Sequence, residues 1–367
     1  MEINNILKLR PSIALVINEN FTEFFNSNTR ETLKLEIDPE ISNILFKLNG
    51  ELNISQLIDF LQVEEDDISE LINLLKYLNK KSILINVDQP YPEDSYSKFK
   101  RVFNTIEDYH TNQSHVIDTF NKIANSNVVI IGLGAVGTWV GKCLAMSGVR
   151  NFTFIDPDCV SISNLHRQIG YMESDVGKLK TESFKKSIKE LGNNIMCNLI
   201  SKELSYKTLN ELNAKKIDLI INCADYPTVD QTSHIVGKYC MEHKITHIIG
   251  GGYNLHQSLI GQVVIPGKTA CVECFRLRLE EINQIDTSNI LKLENKGRKV
   301  GSFPPLSALS ASITANEAFK VLAQLDNLSM TNNRTEFNTH NLNFSNLKIE
   351  RRLDCNWCGA YGEYFNL

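Results

Sequence analysis

No stretch of this 367-residue chain approaches the ~18 unbroken apolar residues of a membrane span. The opening "MEINNILKLRPSIALVINEN" lacks the basic start, apolar run and small-residue cleavage site of a secretory signal. There is no excess of positive charge. The formal net charge is −5, so no global basic field points to nucleic acid. An odd count of nine cysteines without a signal argues against a disulfide framework. No internal repeat is visible. The expectation is a cytoplasmic protein with no membrane partner and no nucleic-acid partner.

The chain is long for one domain, and 42% of it is hydrophobic, enough for a real core. Residues 1–88 read as a small separate domain. "SIALVINENF" and "TLKLEID" are strand candidates. "PEISNILFKLNG", "NISQLIDFLQV" and "DISELINLLKYLNK" carry helical spacing, with Asn53 and Asp67 as N-caps, and the last runs into a short strand. That order suggests a winged-helix-like unit. Residues 89–99, with two prolines in "VDQPYPEDSYS", read as a linker. From residue 100 to 367 strands and helices alternate. "NVVIIG", "NFTFID", "MCNLIS", "IDLIINCAD" and "THIIGGG" are the strands of an α/β, doubly wound, Rossmann-like parallel sheet. Residues 283–302 are polar and read as a loop, and "PLSALSASITANEAFKVLAQL" reads as a helix.

"GLGAVG" follows the first of those strands. Gly132, Gly134 and Gly137 match Gly-x-Gly-x-x-Gly, a turn whose backbone N–H groups approach phosphate oxygens. Asp156 ends the next strand, where a carboxylate meets ribose hydroxyls. The motif alone leaves dehydrogenases, methyltransferases and nucleotidyltransferases open.

The segment "DPDCVSISNLHRQIGYMESDVGKLK" is denser in polar groups than a plain dinucleotide-binding domain needs. Asn164, Arg167 and Lys180 are placed to face one triphosphate, where cations oppose charge developing on a phosphoryl group. Asp225, just after another apolar strand, is placed to hold Mg²⁺ against the phosphates. His166 reads as an exposed spacer.

Cys271-Val-Glu-Cys274 and Cys355-Asn-Trp-Cys358 form two Cys-x-x-Cys pairs, the pattern of a closed structural Cys₄ zinc site. A redox dithiol fits less well, since neither pair follows a thioredoxin-like strand–helix pattern.

"GLGAVG", "SNLHRQ", "DVGKLK" and "CADYP" resemble the ThiF, MoeB and ubiquitin-activating family of adenylating enzymes, over essentially all of residues 100–360. "GGYNLHQSLIGQVVIPGKTACVECF", "FPPLSALSASITANEAFKVL" and "CNWCG" resemble its MccB-type branch, nucleotidyltransferases of microcin C-type peptides. The resemblance implies that Asp156 binds ribose, that Asn164, Arg167, Gln168 and Lys180 grip the triphosphate of ATP (or CTP), and that Asp225 serves Mg²⁺. It implies zinc on the four cysteines. It also implies a homodimer in which an arginine from just before the fold, here Arg101 in "YSKFKRVFN", reaches the partner's site. No cysteine lies between Cys274 and Cys355, where ubiquitin-activating relatives carry a thioester-forming one.

The N-terminal pattern resembles the PqqD-like elements of peptide-modifying enzymes, which hold a leader peptide beside a strand edge and a helix. Here those would be "TLKLEI" and the helix from Ile68. The expected function is activation of the C-terminus of a short ribosomal, Asn-ended peptide with release of pyrophosphate. In the MccB-type resemblance a second turnover gives a nitrogen–phosphorus link. The alternatives are a sulfur-carrier adenylyltransferase, and a non-catalytic ThiF-like docking protein serving a cyclodehydratase.

Overall fold

The protein is described from a computed structural model, which covers residues 2–37, 42, 44–192, 194–283 and 301–365. The chain divides into two compact units, Met1–Lys122 and Ile123–Leu367.

The first unit carries strands β1 (Ile6–Leu9), β2 (Ile13–Ile17), β3 (Thr22–Asn26), β4 (Thr32–Leu35) and β5 (Asn49–Asn53), helices α1 (Ile54–Leu61) and α2 (Ile68–Lys80), strand β6 (Leu84–Asn86), and helix α3 (Glu93–Glu107). Helix α4 (Gln113–Asn125) follows, its last three residues counted with the second unit. The strands form two antiparallel sheets, β5-β1-β6 and β2-β3-β4. Leu7, Phe24, Leu57, Leu75 and Leu78 bring strands and helices into one core. Asn53 closes a reciprocal capping box with Gln56, as its position before the helix predicts. Asp67 does not cap α2. Its backbone is already helical and its side chain makes no capping bond. Strands β1, β3 and β5 were not expected. "TEFFN" and "NGELN" are short and carry no clean alternation, so their pairing is set by tertiary packing. Of the expected helix at 39–50, residues 39–41 and 43 lie outside the described residues. Residues 42, 44 and 45 are helical, Ile44, Leu45 and Leu48 are in the core, and the chain enters β5 at Asn49.

The expected linker is also different in part. From Glu93 it is helical, started by Pro92 and two acidic residues in the first turn. Tyr91, Tyr96 and Phe103 cluster there, Tyr91 stacked on Tyr96 with centroids 4.8 Å apart and tilted against Phe103 at 4.9 Å. The fully buried Arg10 ties this helix to β1. It donates to the carbonyls of Leu84, Glu107 and His110.

The second unit contains β7 (Asn127–Ile131), α5 (Ala135–Met146), β8 (Asn151–Ile155), α6 (Lys180–Lys189), β9 (Met196–Ile200), α7 (Tyr206–Leu209), β10 (Leu219–Asn222), α8 (Val229–Glu242) and β11 (His247–Ile249). There follow β12 (Gly252–Asn254), β13 (Gln257–Ile260), β14 (Gln262–Val264), α9 (Val272–Asn283), α10 (Pro304–Leu322), β15 (Asn333–Asn338) and β16 (Asn343–Lys348). All five predicted strands lie in one sheet of order β14-β11-β10-β7-β8-β9, parallel except for β14. Val129, Ile131 and Ile220 face α7 and α8 on one side, sharing a core with Leu209 and Val236. Ile130 and Phe154 face the other, where the Phe184 ring of α6 meets Phe154 edge-on at 5.0 Å. A second sheet, β12-β13-β15-β16, is antiparallel. Most of the predicted loop at 283–302 lies outside the described residues.

Candidate active site

The sheet reverses its winding between β7 and β10, the place where doubly wound folds bind ligands. Ile249, Asn222, Ile131, Ile155 and Ile200 stand in register across five adjacent strands. The residues that follow them, Gly250, Cys223, Gly132, Asp156 and Ser201, therefore share one edge of the sheet. This register gathers three segments that are far apart in sequence.

Gly132 has φ +86°, and a Cβ there would stand 2.7 Å from the Ala224 nitrogen. The glycine turn and the loop after β10 thus touch backbone to backbone. A Cβ on Gly137 would stand 1.9 Å from the Gly132 oxygen, so the helix packs directly on its own turn. Gly134 differs. It is the N-cap of α5, and a Cβ there meets nothing within 4 Å. The middle of the turn faces open space at a helix N-terminus, the setting that favours an anion.

Asp156 is 5% exposed and built into the turn. Its Oδ2 accepts the Leu133 N–H at 2.6 Å and its Oδ1 the Asp158 N–H at 2.8 Å. Burial raises its pKa, against the pull of the Lys180 ammonium and the two backbone donors. Lys180 is buried at the start of α6, and its Nζ donates to Asp158 Oδ2 at 2.7 Å. A short ladder joins these segments, with Lys180 N–H to Asp158 C=O at 2.9 Å and Val160 N–H to Lys178 C=O at 2.8 Å. Asp158 was not singled out from sequence, although the Asp-x-Asp spacing was visible. Tyr171 was missed too, and nothing in the sequence marked it. Its hydroxyl donates to the Leu133 carbonyl at 2.8 Å.

Asn164 and Arg167 lie on and just after a short 3₁₀ turn, Ile162–Asn164. Asn164 Oδ1 accepts the Ser161 N–H at 2.9 Å, which leaves its amide nitrogen as the group for a ligand. Arg167 is half-buried and donates to the Ser163 carbonyl at 2.7 Å and to His166 Nε2 at 3.2 Å. His166 itself is exposed. Gln168 is buried, and its Oε1 has no partner among the described residues. Asp225 is exposed in the loop after β10. That loop is braced by Asn222, whose Oδ1 accepts the Ala224 N–H, and by Thr232, which donates to the Ala224 carbonyl at 2.8 Å. Arg101 belongs to the other unit, exposed on α3.

The four cysteines come together. Cys271, Cys274, Cys355 and Cys358 are buried, with all four sulfurs within 4.8 Å of one another. The Cys271–Cys355 and Cys271–Cys274 separations are 3.6 and 3.8 Å. A tetrahedron of thiolates about zinc has edges of about 3.8 Å, so the cage fits the ion. Arg351 braces the second pair, donating twice to the Cys358 carbonyl and once to Gly267 at 2.6 Å.

The ThiF family model matches residues 110–358. The tRNA threonylcarbamoyladenosine dehydratase of Haemophilus influenzae is 30% identical over 135 residues, 37% of this chain and 51% of that protein. The molybdopterin-synthase adenylyltransferase of Escherichia coli is 26% identical over 65% of this chain and 88% of that one. The chain spans about half or less of the length of the first curated relatives it matches. Among solved structures, E. coli MccB with ATP superposes with a TM-score of 0.76 at 22% identity, covering 96% of this chain and 99% of that one. At that identity the likeness establishes the fold. Among the described residues no helix is long and apolar enough to cross a membrane.

Proposed function

The chain belongs to the ThiF family, and from that premise we propose that it is a nucleotidyltransferase that activates the C-terminus of a short ribosomal peptide with ATP or CTP. One observation carries the reading: the in-register strand ends bring the glycine turn, Asp156 with Lys180, and the Asp225 loop to one edge of the sheet. Cation, phosphate turn and acidic loop are the parts that nucleotidyl transfer needs.

In the proposed reaction an oxygen of the peptide's terminal carboxyl or amide attacks the α-phosphorus. The bond from that phosphorus to the bridging oxygen breaks, and pyrophosphate leaves. The N-terminus of α5 and the Gly134 region cradle phosphate oxygens. Asp156, fixed by two backbone donors, is held rigid for the ribose. Lys180 and Arg167 oppose the charge that builds on the phosphates. The unpaired Oε1 of the buried Gln168 is an acceptor and suits a donor such as a ribose hydroxyl or a metal-bound water. Asp225 would hold Mg²⁺, which when bound neutralises the departing pyrophosphate. Zinc on the four cysteines would pin the C-terminal tail and take no part in chemistry. Arg101 is assigned to the partner's site in a homodimer.

The peptide reading draws support from the first unit. Among the described residues strand β4 pairs with β3 alone, and its other edge is available for an added strand. Leu33 and Leu35 of β4 and Ile68 and Ile72 of α2 pack on the same core. E. coli MccB, which shares the fold over both units, has been solved with MccA and a nucleotide analogue. A sulfur-carrier substrate is the second reading, favoured by the match to 88% of the E. coli molybdopterin-synthase adenylyltransferase. Peptide-dependent exchange of labelled pyrophosphate into the triphosphate separates them. An Asn-ended peptide drives exchange under the first reading, and a Gly-Gly-ended carrier under the second.

A further inference from the structure

Leu133, between the first two glycines of the turn, has both backbone groups held by side chains. Asp156 takes its N–H at 2.6 Å, and Tyr171 donates to its carbonyl at 2.8 Å. Tyr171 is 8% exposed, and its ring meets Phe184 edge-on with centroids 6.5 Å apart. Burial, aided by the Asp156 and Asp158 carboxylates, drives the phenol pKa well above its ordinary value, so the hydroxyl is always a donor.

The Leu133–Gly134 peptide bond is trans. In a planar trans peptide the C=O and N–H point in opposite directions. With the carbonyl tied to Tyr171, the Gly134 N–H is aimed the other way. That N–H has no hydrogen-bond partner among the described residues. The space beside Gly134 is open, since a Cβ there meets nothing within 4 Å. The plane of this peptide turns about ψ of Leu133 and φ of Gly134, and glycine makes the second rotation cheap. Without a clamp the donor would swing.

We propose that Tyr171 is a positioning residue for the nucleotide: its hydroxyl fixes the Leu133–Gly134 peptide so that the Gly134 N–H is presented, already aimed, to a phosphate oxygen. This rests on reading the turn as a triphosphate site. Asp156 sets one side of Leu133 and Tyr171 the other, so a residue to which no role was given in the sequence shapes the phosphate turn.

The test uses the full-length protein labelled with ¹⁵N-glycine, wild type and Tyr171→Phe, titrated with MgATP and then MgCTP. The substitution removes one oxygen and keeps the ring contact with Phe184. In the wild type the Gly134 amide resonance shifts on titration. In the variant that resonance is displaced before ligand is added, and the dissociation constant rises about ten-fold, the worth of one misdirected donor to a charged acceptor. In pyrophosphate exchange the nucleotide KM rises by the same factor while kcat changes less than about two-fold. A general loosening of the fold would instead lower kcat as well. Equal affinity and an unmoved Gly134 resonance in the variant overturn the role of Tyr171 and leave the site standing. A wild-type Gly134 that responds to neither nucleotide overturns the triphosphate site, and the role of Tyr171 with it.

Discussion

Lys180 Nζ lies 2.7 Å from Asp158 Oδ2, and the two residues are joined again through the backbone, Lys180 N–H to Asp158 C=O at 2.9 Å. The lysine side chain is 8% exposed and the aspartate 63%. A buried lysine side chain is thus paired with an exposed carboxylate at the sheet edge that carries the glycine turn.

Lys180→Ala removes that charge and leaves Asp158 in water, so the fold should survive. Pyrophosphate exchange should fall about 10²-fold, the usual cost of one preorganised group on a developing charge. Loss within two-fold would mean that Lys180 does not face the phosphates.

Two glycines of one motif should behave differently. Gly132→Ala places a Cβ 2.7 Å from the Ala224 backbone at a φ of +86°, and should destabilise by about 2 kcal/mol or more. Gly134→Ala meets open space and has an ordinary φ of −79°, so its melting temperature should stay near wild type. The methyl group would occupy the room for a phosphate, so nucleotide affinity should fall. Thermal melts paired with nucleotide binding check both.

The cysteine cage predicts one zinc per chain by elemental analysis. Cys355→Ser, or a strong chelator, should lower unfolding free energy by about 3 kcal/mol or more, because metal binding there is folding energy. A chain that melts identically with and without chelator would contradict the cage.

His247 predicts an acid sensitivity. It is fully buried on β11, its Nδ1 bonded to the Ile245 carbonyl at 3.1 Å and its Nε2 without a partner among the described residues. Burial lowers its pKa to about 4, from an ordinary 6.5. The folded state therefore resists protonation that the unfolded chain accepts. Stability is full above pH 6.5 and declines as pH falls toward about 4. Between pH 7 and pH 5 this group should remove about 2 kcal/mol in urea unfolding. His247→Leu should lose that component of the slope.

Much of the second unit was legible because its signals are strong. A buried parallel strand is an unbroken apolar run, and "NVVII" and "LIIN" each yielded one. The glycine turn declared itself by spacing, and the cysteines by two pairs of the same Cys-x-x-Cys spacing. The rest was hidden for physical reasons. Strands β1, β3 and β5 gain their stability from neighbours rather than from their own pattern. Pro92, read as a linker signal, begins a helix whose Tyr96 and Phe103 pack against each other and against Tyr91, a cluster that no local pattern in the sequence announces. Tyr171 acts by a single hydroxyl on a backbone carbonyl 38 residues away in sequence. No local pattern encodes such a bond. The acidic partner of Lys180 was within sight in "DPD", but only the ladder between residues 158–160 and 177–180 shows why the second aspartate meets it.

The most direct measurement is exchange of labelled pyrophosphate into ATP or CTP with Mg²⁺, run with and without an Asn-ended peptide and repeated with Arg167→Ala and Asp225→Ala. Nucleotidyl transfer predicts label entering the triphosphate only when peptide is present, and at least a ten-fold loss in either variant. Label that never enters with any peptide or carrier, or variants that exchange at the wild-type rate, would contradict it.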